Sequence, residues 1–360
     1  MTINRGNYQL FMRFLAEREN LVCPASVKMT KMHLKKFLEY MGSNPFEQIS
    51  TNCVGYKRML LSSGLKIEYV RKNLSETRNF LQWLKDEYAI PITTTWIKRN
   101  LAISAKEKNM ANLGSAESTE YYSLEDVLKI AKTPVKDLVE ERTRAACVFL
   151  FLSGARVSAF LSLPIKAVNV QERIIKQWTT LNVRTKLSKS ATTRLVNFPN
   201  NPILMETIAA WDEKVRAMLP DSAMWFPNID PKTNEFNTNL AVGQNRSSGF
   251  RKDLLVFLGK AGIPYKSPHK FRHGIIRVAR NFAKTARDLE AIAQNFMQTP
   301  ETMLGYGRLS SNDANKIIDE LCGSVLEKSK VSDDDSPSSL DANVEKAYFE
   351  FLKKKYEETR

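Results

Sequence analysis

Ser267-Pro268-His269-Lys270-Phe271-Arg272-His273 decides how the rest of this chain is read. Pro268 suits the first turn of a helix, where the N–H it lacks would be unpaired anyway. A helix is therefore predicted to open here, with His269 and Arg272, three apart, on one face. Upstream, in Leu152-Ser153-Gly154-Ala155-Arg156-Val157-Ser158, an apolar helix from Ala145 to Leu152 breaks at glycine and presents an arginine. Between the two lies Arg184-Thr185-Lys186-Leu187-Ser188-Lys189-Ser190, a polar, basic turn. Downstream, Gln294-Asn295-Phe296-Met297-Gln298 precedes Tyr306 in Gly305-Tyr306-Gly307.

The turn at 184–190 sits in a β-rich interruption of an otherwise helical pattern. Val168, Val170, Ile174 and Ile175, then Thr180-Leu181-Asn182-Val183, then Leu195-Val196-Asn197-Phe198-Pro199 have the composition of short strands. The small sheet is expected to display Lys186 and Lys189 at its tip. Ser123-Leu124-Glu125-Asp126 has the form of a capping box opening a helix through Ile130. Residues 111–118, Ala-Asn-Leu-Gly-Ser-Ala-Glu-Ser, have linker composition and place a boundary near 115. Before it, apolar residues recur at helical spacing in Tyr8, Phe11 and Leu15 and again in Val27, Leu34, Phe37, Leu38 and Met41. Gly42-Ser43-Asn44-Pro45 and Ser62-Ser63-Gly64 punctuate these helices. Three parts result: a helical domain over 1–115, a second domain over 116–328, and 329–360, an acidic, turn-rich linker with an amphipathic end helix.

Composition bounds the function. The 360 residues hold 43% hydrophobic and 26% charged residues, the mix of a globular chain with real cores. Lys and Arg number 54 against 39 Asp and Glu, a net charge of +15 that favours a polyanionic partner. The first domain is the more basic for its length, and Lys28, Lys31, Lys35 and Lys36 fall on neighbouring faces of one helix, suited to riding on phosphates. No run approaches the ~18 apolar residues of a membrane span. Arg13, Glu17 and Arg18 interrupt what an export signal would need. Four scattered cysteines, Cys23, Cys53, Cys147 and Cys322, suit a reducing cytoplasm and form neither a disulfide scaffold nor a zinc site. G-x-S-x-G, G-x-x-x-x-G-K-[ST] and H-E-x-x-H are all missing, which excludes the commonest hydrolase and nucleotide-binding signatures.

Taken singly, each basic stretch has a plain structural reading: a helix end, a solvated hairpin tip, a decorated surface, a packed loop aromatic. Their order is more specific. Ser-Gly-Ala-Arg156, Arg-Thr-Lys186, Ser-Pro-His269-Lys-Phe-Arg272-His and Gln-Asn-Phe-Met-Gln298 with Gly-Tyr306-Gly resemble the tyrosine recombinase (phage integrase) family. The resemblance covers about 120–310, and the helical first domain matches the family's core-binding, DNA-clamping domain by layout alone. Gln298 departs from the family's usual His or Trp, and Ala159 stands where many members carry an acid.

The resemblance implies a mainly α fold with a small antiparallel sheet. It also implies a site-specific recombinase that cuts and rejoins duplex DNA through a 3′-phosphotyrosyl link. Arg156 and Arg272 would hold the non-bridging oxygens, Lys186 would act as general acid, and His269 would move a proton or bond the phosphate. Gln298 would donate a hydrogen bond, and Tyr306 would be the nucleophile. No cofactor or metal is expected. The partners implied are a double-stranded DNA site, accessory proteins, and three further copies in a homotetramer on DNA built from solution monomers. The setting implied is the cytoplasm of a bacterium, at the nucleoid. A degenerate recombinase that binds DNA without cutting, and a topoisomerase of the same chemistry, remain open as alternatives.

Overall fold

The computed structural model describes residues 3–107, 120–230, 232–237 and 246–305. Two compact units divide between 117 and 118, each with its own core. The linker stretch at 111–118, Tyr306 and everything beyond it, with Tyr348 and the expected end helix, lie outside the described residues.

In the described part of the first unit every regular element is helical, as patterning predicted. Arg5–Glu19 opens under an Asn4 cap. Buried Asn7 ties that opening to the Gly42–Pro45 turn, donating to Asn44 O at 2.8 Å and accepting from Phe46 N at 3.0 Å. Pro24–Met41 buries Val27, Leu34, Phe37, Leu38 and Met41 against Ile67–Tyr88, a 22-residue helix. Phe37, Phe46, Tyr56 and Phe80 meet edge to face or stacked at the centre. Tyr8 departs from expectation: it is 47% exposed while Phe11 and Leu15 are buried.

The second unit is built around Leu138–Ser153, whose final nine residues are all buried. A helix apolar on every side has to be surrounded. Leu124–Lys132, Ile203–Met218, Arg246–Lys260 and His269–Phe282 pack on it. The Ser123 capping box is present, with Asp126 returning the bond. Beside the helices lies an antiparallel sheet of β1 (Val168–Asn169), β2 (Ile174–Gln177) and β3 (Ala191–Arg194), in that order. Ile174 pairs with Arg194 and Gln177 with Ala191.

Two strand expectations are corrected. Thr180–Val183 is not a strand: Thr179–Leu181 is a 3-10 turn, and Asn182, at φ 60°, turns the chain back so that Val183 N bonds Trp178 O. Leu195–Pro199 is not a strand either. Leu195 N and Val196 N bond Arg173 O and Leu152 O, outside any ladder. The strand falls earlier, on Ala191-Thr192-Thr193-Arg194, where Thr193 Oγ1 accepts from buried Gln177. A second hairpin, β4 (Asn228–Asp230) with β5 (Glu235–Asn237), was not expected.

The helix carrying His269 and Arg272 is seated backbone to backbone. A Cβ on Gly274 would lie 1.9 Å from Tyr122 O. Tyr122 in turn stacks on Phe271 with ring centroids 4.0 Å apart, and its hydroxyl bonds both Lys266 O and Lys266 N. Gly259, near the end of Arg246–Lys260, has open space where its Cβ would be. Gly274→Ala is expected to cost about 3 kcal/mol by overpacking, a drop of roughly 6–12 °C in Tm. Gly259→Ala should be neutral or raise Tm slightly, since helical Gly is about 0.5–1 kcal/mol worse than Ala. Calorimetric melts of the two variants check both.

Candidate active site

The site is assembled at a helix end. Leu138–Ser153 stops at Gly154, which is left-handed at φ 55° and returns its N–H to Leu150 O and Phe151 O. Glycine is required twice over: for that backbone, and because a Cβ would meet Phe296 Cδ1 at 2.6 Å and Ile275 Cγ2 at 3.3 Å. Ser153 Oγ accepts from Ala155 N at 3.1 Å, and the chain then delivers Arg156 as the residue before the short helix Val157–Phe160. Arg156 is partly exposed.

Arg272, 2% exposed, points into this junction. It donates through Nη1 to Gly154 O and through Nη2 to Phe296 O. Gln298, with its amide oxygen turned to the guanidinium, accepts from Arg272 Nε at 2.9 Å and from Nη2 at 2.5 Å. Nε and both kinds of terminal nitrogen are therefore engaged, and the charge joins three separate segments. That orientation leaves the Gln298 NH₂ facing away from the arginine as a donor.

The stretch from Gln294 to Gln298 is read almost residue by residue in these contacts. Asn295, last in the helix Ala286–Asn295, accepts from Arg194 N at 2.7 Å and donates to Arg194 O at 3.1 Å. Phe296 covers Gly154, Met297 turns left-handed at φ 51°, and Gln298 N bonds Ala293 O at 2.9 Å. Nothing in the sequence singled out Asn295 by itself, although its stretch was marked.

His269 begins the helix His269–Phe282, and burial, then Arg272, Arg156 and Lys270, push its imidazole down to about 4. His273, a turn on, is pushed down to about 4 by burial and by His269, Lys270 and Arg272. Their rings meet edge to face at 5.0 Å. Both are neutral at pH 7, and His269 lies within electrostatic reach of both arginines.

Lys186 opens a 3-10 turn (Lys186–Ser188) in the β2–β3 connection, and both it and Lys189 are exposed. Leu187 and Ser188 stand at φ 57° and 53°, with Leu187 78% exposed. The structure thus brings together Arg156, His269, Arg272 and Gln298. Lys186 and Lys189 stand on the adjoining sheet connection, and Tyr306 follows the last described residue, Gly305. Lys28, Lys31, Lys35 and Lys36 belong to the other unit. The first three are exposed on Pro24–Met41, Lys35 is 3.7 Å from Glu39, and Lys36 Nζ lies 6.0 Å from the Tyr69 ring centre. Among the described residues no three His, Cys, Asp or Glu side chains converge as a metal site, and no helix is long and apolar enough to cross a membrane.

No protein-family model matches the sequence, and no curated protein is similar to it in sequence. Solved structures are similar in fold. A lambda integrase tetramer bound to a Holliday junction superposes with a TM-score of 0.57 at 10% identity, over 84% of this chain and 79% of that one. XerH site-specific recombinase bound to a palindromic difH substrate gives 0.55 at 14% identity, over 82% and 79%. The Tn1549 transposon integrase in complex with circular intermediate DNA gives 0.52 at 12% identity, over 86% and 98%. The chain has the tyrosine recombinase fold: mainly helical, with a small antiparallel sheet.

Two measurements test the electrostatics of the site. Arg272→Ala is expected to destabilise by about 3 kcal/mol, since it strands buried acceptors and leaves a cavity. Arg156→Ala, partly exposed, should melt close to the parent protein. Acidification should also weaken the fold, because the unfolded chain takes up protons near pH 6.5 that folded His269 and His273 refuse until about 4. Stability is therefore full above 6.5 and lost as pH falls towards 4. Denaturant titrations at pH 7 and 5 should show this, and a His269→Gln/His273→Gln double variant should flatten it.

Proposed function

We propose that this chain is a site-specific tyrosine recombinase that cleaves and rejoins duplex DNA through a 3′-phosphotyrosyl intermediate. The observation that carries the reading is the convergence of Arg156, His269, Arg272 and Gln298 around the Gly154 turn, within a fold shared with proteins solved on recombination DNA. Tyr306 attacks phosphorus, and its phenolic proton passes to His269, whose basicity the negative charge of the bound phosphate restores against the pull of the two arginines. The Tyr306 O–P bond forms as the P–O5′ bond breaks, and the departing 5′-oxygen takes a proton from Lys186. Charge building on the two non-bridging oxygens is met by Arg156, by the Gln298 amide and by the fixed positive charge of Arg272. One phosphodiester is exchanged for another, so rejoining needs no outside energy source.

The partners follow from the same reading. Duplex DNA lies against the catalytic unit and against the lysines of Pro24–Met41 in the core-binding unit, and four protomers assemble on it from solution monomers. The lambda integrase structure is likewise a tetramer, bound to a Holliday junction. Accessory proteins and a place at the bacterial nucleoid, on a mobile element, belong to the proposal as well.

A second reading, a DNA-binding regulator that does not cut, is favoured by one observation: Arg272 is almost wholly buried and spends its donors on the protein. Covalent trapping separates the two. Protein incubated in chelator with nicked duplexes from DNA flanking its gene should yield an adduct that survives denaturation. Tyr306→Phe should abolish it and Tyr348→Phe should not. Tight binding with no adduct on any such duplex would establish the regulator instead.

A further inference from the structure

The connection that carries Lys186 stands on two feet, and each foot is planted in the arginine site. Its incoming leg is fixed at Arg184, whose backbone N–H donates to Ser162 Oγ at 2.8 Å. Ser162 is buried, and its hydroxyl lies 2.9 Å from Ser158 O and 3.0 Å from Ala159 O, in the short helix that Arg156 opens. The outgoing leg is fixed at Arg194. There Asn295 offers an acceptor and a donor to the two backbone groups of one residue, as a neighbouring strand would. Asn295 stands one residue before Phe296, whose carbonyl holds Arg272, and three before Gln298.

We infer that Ser162 and Asn295 are positioning residues that set where Lys186 stands relative to the two arginines. The inference rests on the recombinase reading above, in which Lys186 protonates the leaving oxygen. Between the feet residues 186–189 are exposed, so their own packing cannot place them, and Ser190 Oγ accepts from Thr179 N at 3.0 Å. Leu187 and Ser188 hold left-handed backbone that non-glycine residues adopt only where the surroundings impose it. The two anchors add to the boundary that the β2–β3 pairing and the Thr179–Ser190 bond impose. Ser162 references the lysine to Arg156, and Asn295 references it to Arg272. One hydrogen-bonding side chain at each foot is too little to hold the fold, and enough to fix the direction of a short loop.

A leaving-group test isolates this role. In the trapping duplex the scissile 5′-oxygen is replaced by sulfur, so that the P–S bond breaks and a thiolate departs. A thiolate is the conjugate base of a thiol with pKa near ~8.5, and it needs no proton from an acid. Full-length Asn295→Ala and Ser162→Ala are expected to cleave the oxygen duplex about 10–100-fold more slowly, the scale of a loss from misplacement by about 1 Å. On the sulfur duplex they should recover most of that loss, as Lys186→Ala does. In a Lys186→Ala background, adding Asn295→Ala should slow the oxygen duplex no further. Asn295→Asp keeps the acceptor for Arg194 N and loses the donor, so it should show the same recovery from a smaller loss. Unchanged cleavage of the oxygen duplex by the Ser162 and Asn295 variants would overturn the inference. So would equal slowing on both duplexes while Lys186→Ala is rescued, because the anchors would then act through the arginines. No adduct from the parent protein with either duplex would overturn the recombinase reading itself, and the inference with it.

Discussion

A guanidinium buried at the end of a helix governs the arrangement of the second unit. Removing Arg272 from water is tolerable only if its donors find acceptors, and the acceptors it finds come from three places: Gly154 O, Phe296 O and the Gln298 amide. These acceptors are neutral, so the bonds fix the group without cancelling its charge. Several local features then follow. Residue 154 must be left-handed to end the helix, and it must lack a Cβ so that Phe296 can lie on it. The chain after 295 must double back, which Met297 does with positive φ. The helix from His269 must approach closely, which Gly274 permits against the Tyr122 carbonyl.

The parts of this arrangement that reside in local chemistry were legible in the sequence. A wholly apolar run before Ser-Gly-Ala-Arg reads as a buried helix ending at glycine. Pro268 marks a helix start, and Ser123 with Asp126 marks another. The basic stretches were recognisable because their order is unusual, and four of their residues converge around one turn. What escaped was decided by distant partners. Thr180–Val183 has strand composition, but Val183 spends its N–H on Trp178 O and the chain turns instead. Ala191–Arg194 is polar and half exposed, and it becomes a strand because Ile174–Gln177 lies beside it. Asn295 and Ser162 bond backbone groups 101 and 22 residues away, and no periodicity or propensity encodes such a bond.

In the proposed reading Gln298 stands where the tyrosine recombinases usually have another residue. A histidine or tryptophan in that place offers a ring N–H, whereas the glutamine amide has two ends. Here its oxygen is spent on Arg272, and its NH₂ is turned away from the guanidinium. One side chain therefore orients the buried arginine, and in the proposed reading its other end would supply the donor that the family's residue offers.

The charge balance of the site follows from the same geometry. A pentacoordinate phosphorane carries more negative charge than the diester it comes from, so positive charge has to be in place before the reaction begins. In the proposed reading Arg156 and Arg272 supply it, and burial, then the two arginines, holds His269 neutral. The same cations weaken that imidazole as a base, so it can take the proton of an attacking phenol only once the negative charge of the phosphate stands beside it. The field proposed to stabilise the transition state thus also contributes, behind burial, to the protonation state of the histidine. A carboxylate three residues after Arg156 would offset part of that field. Ala159 stands there, buried, and leaves it intact.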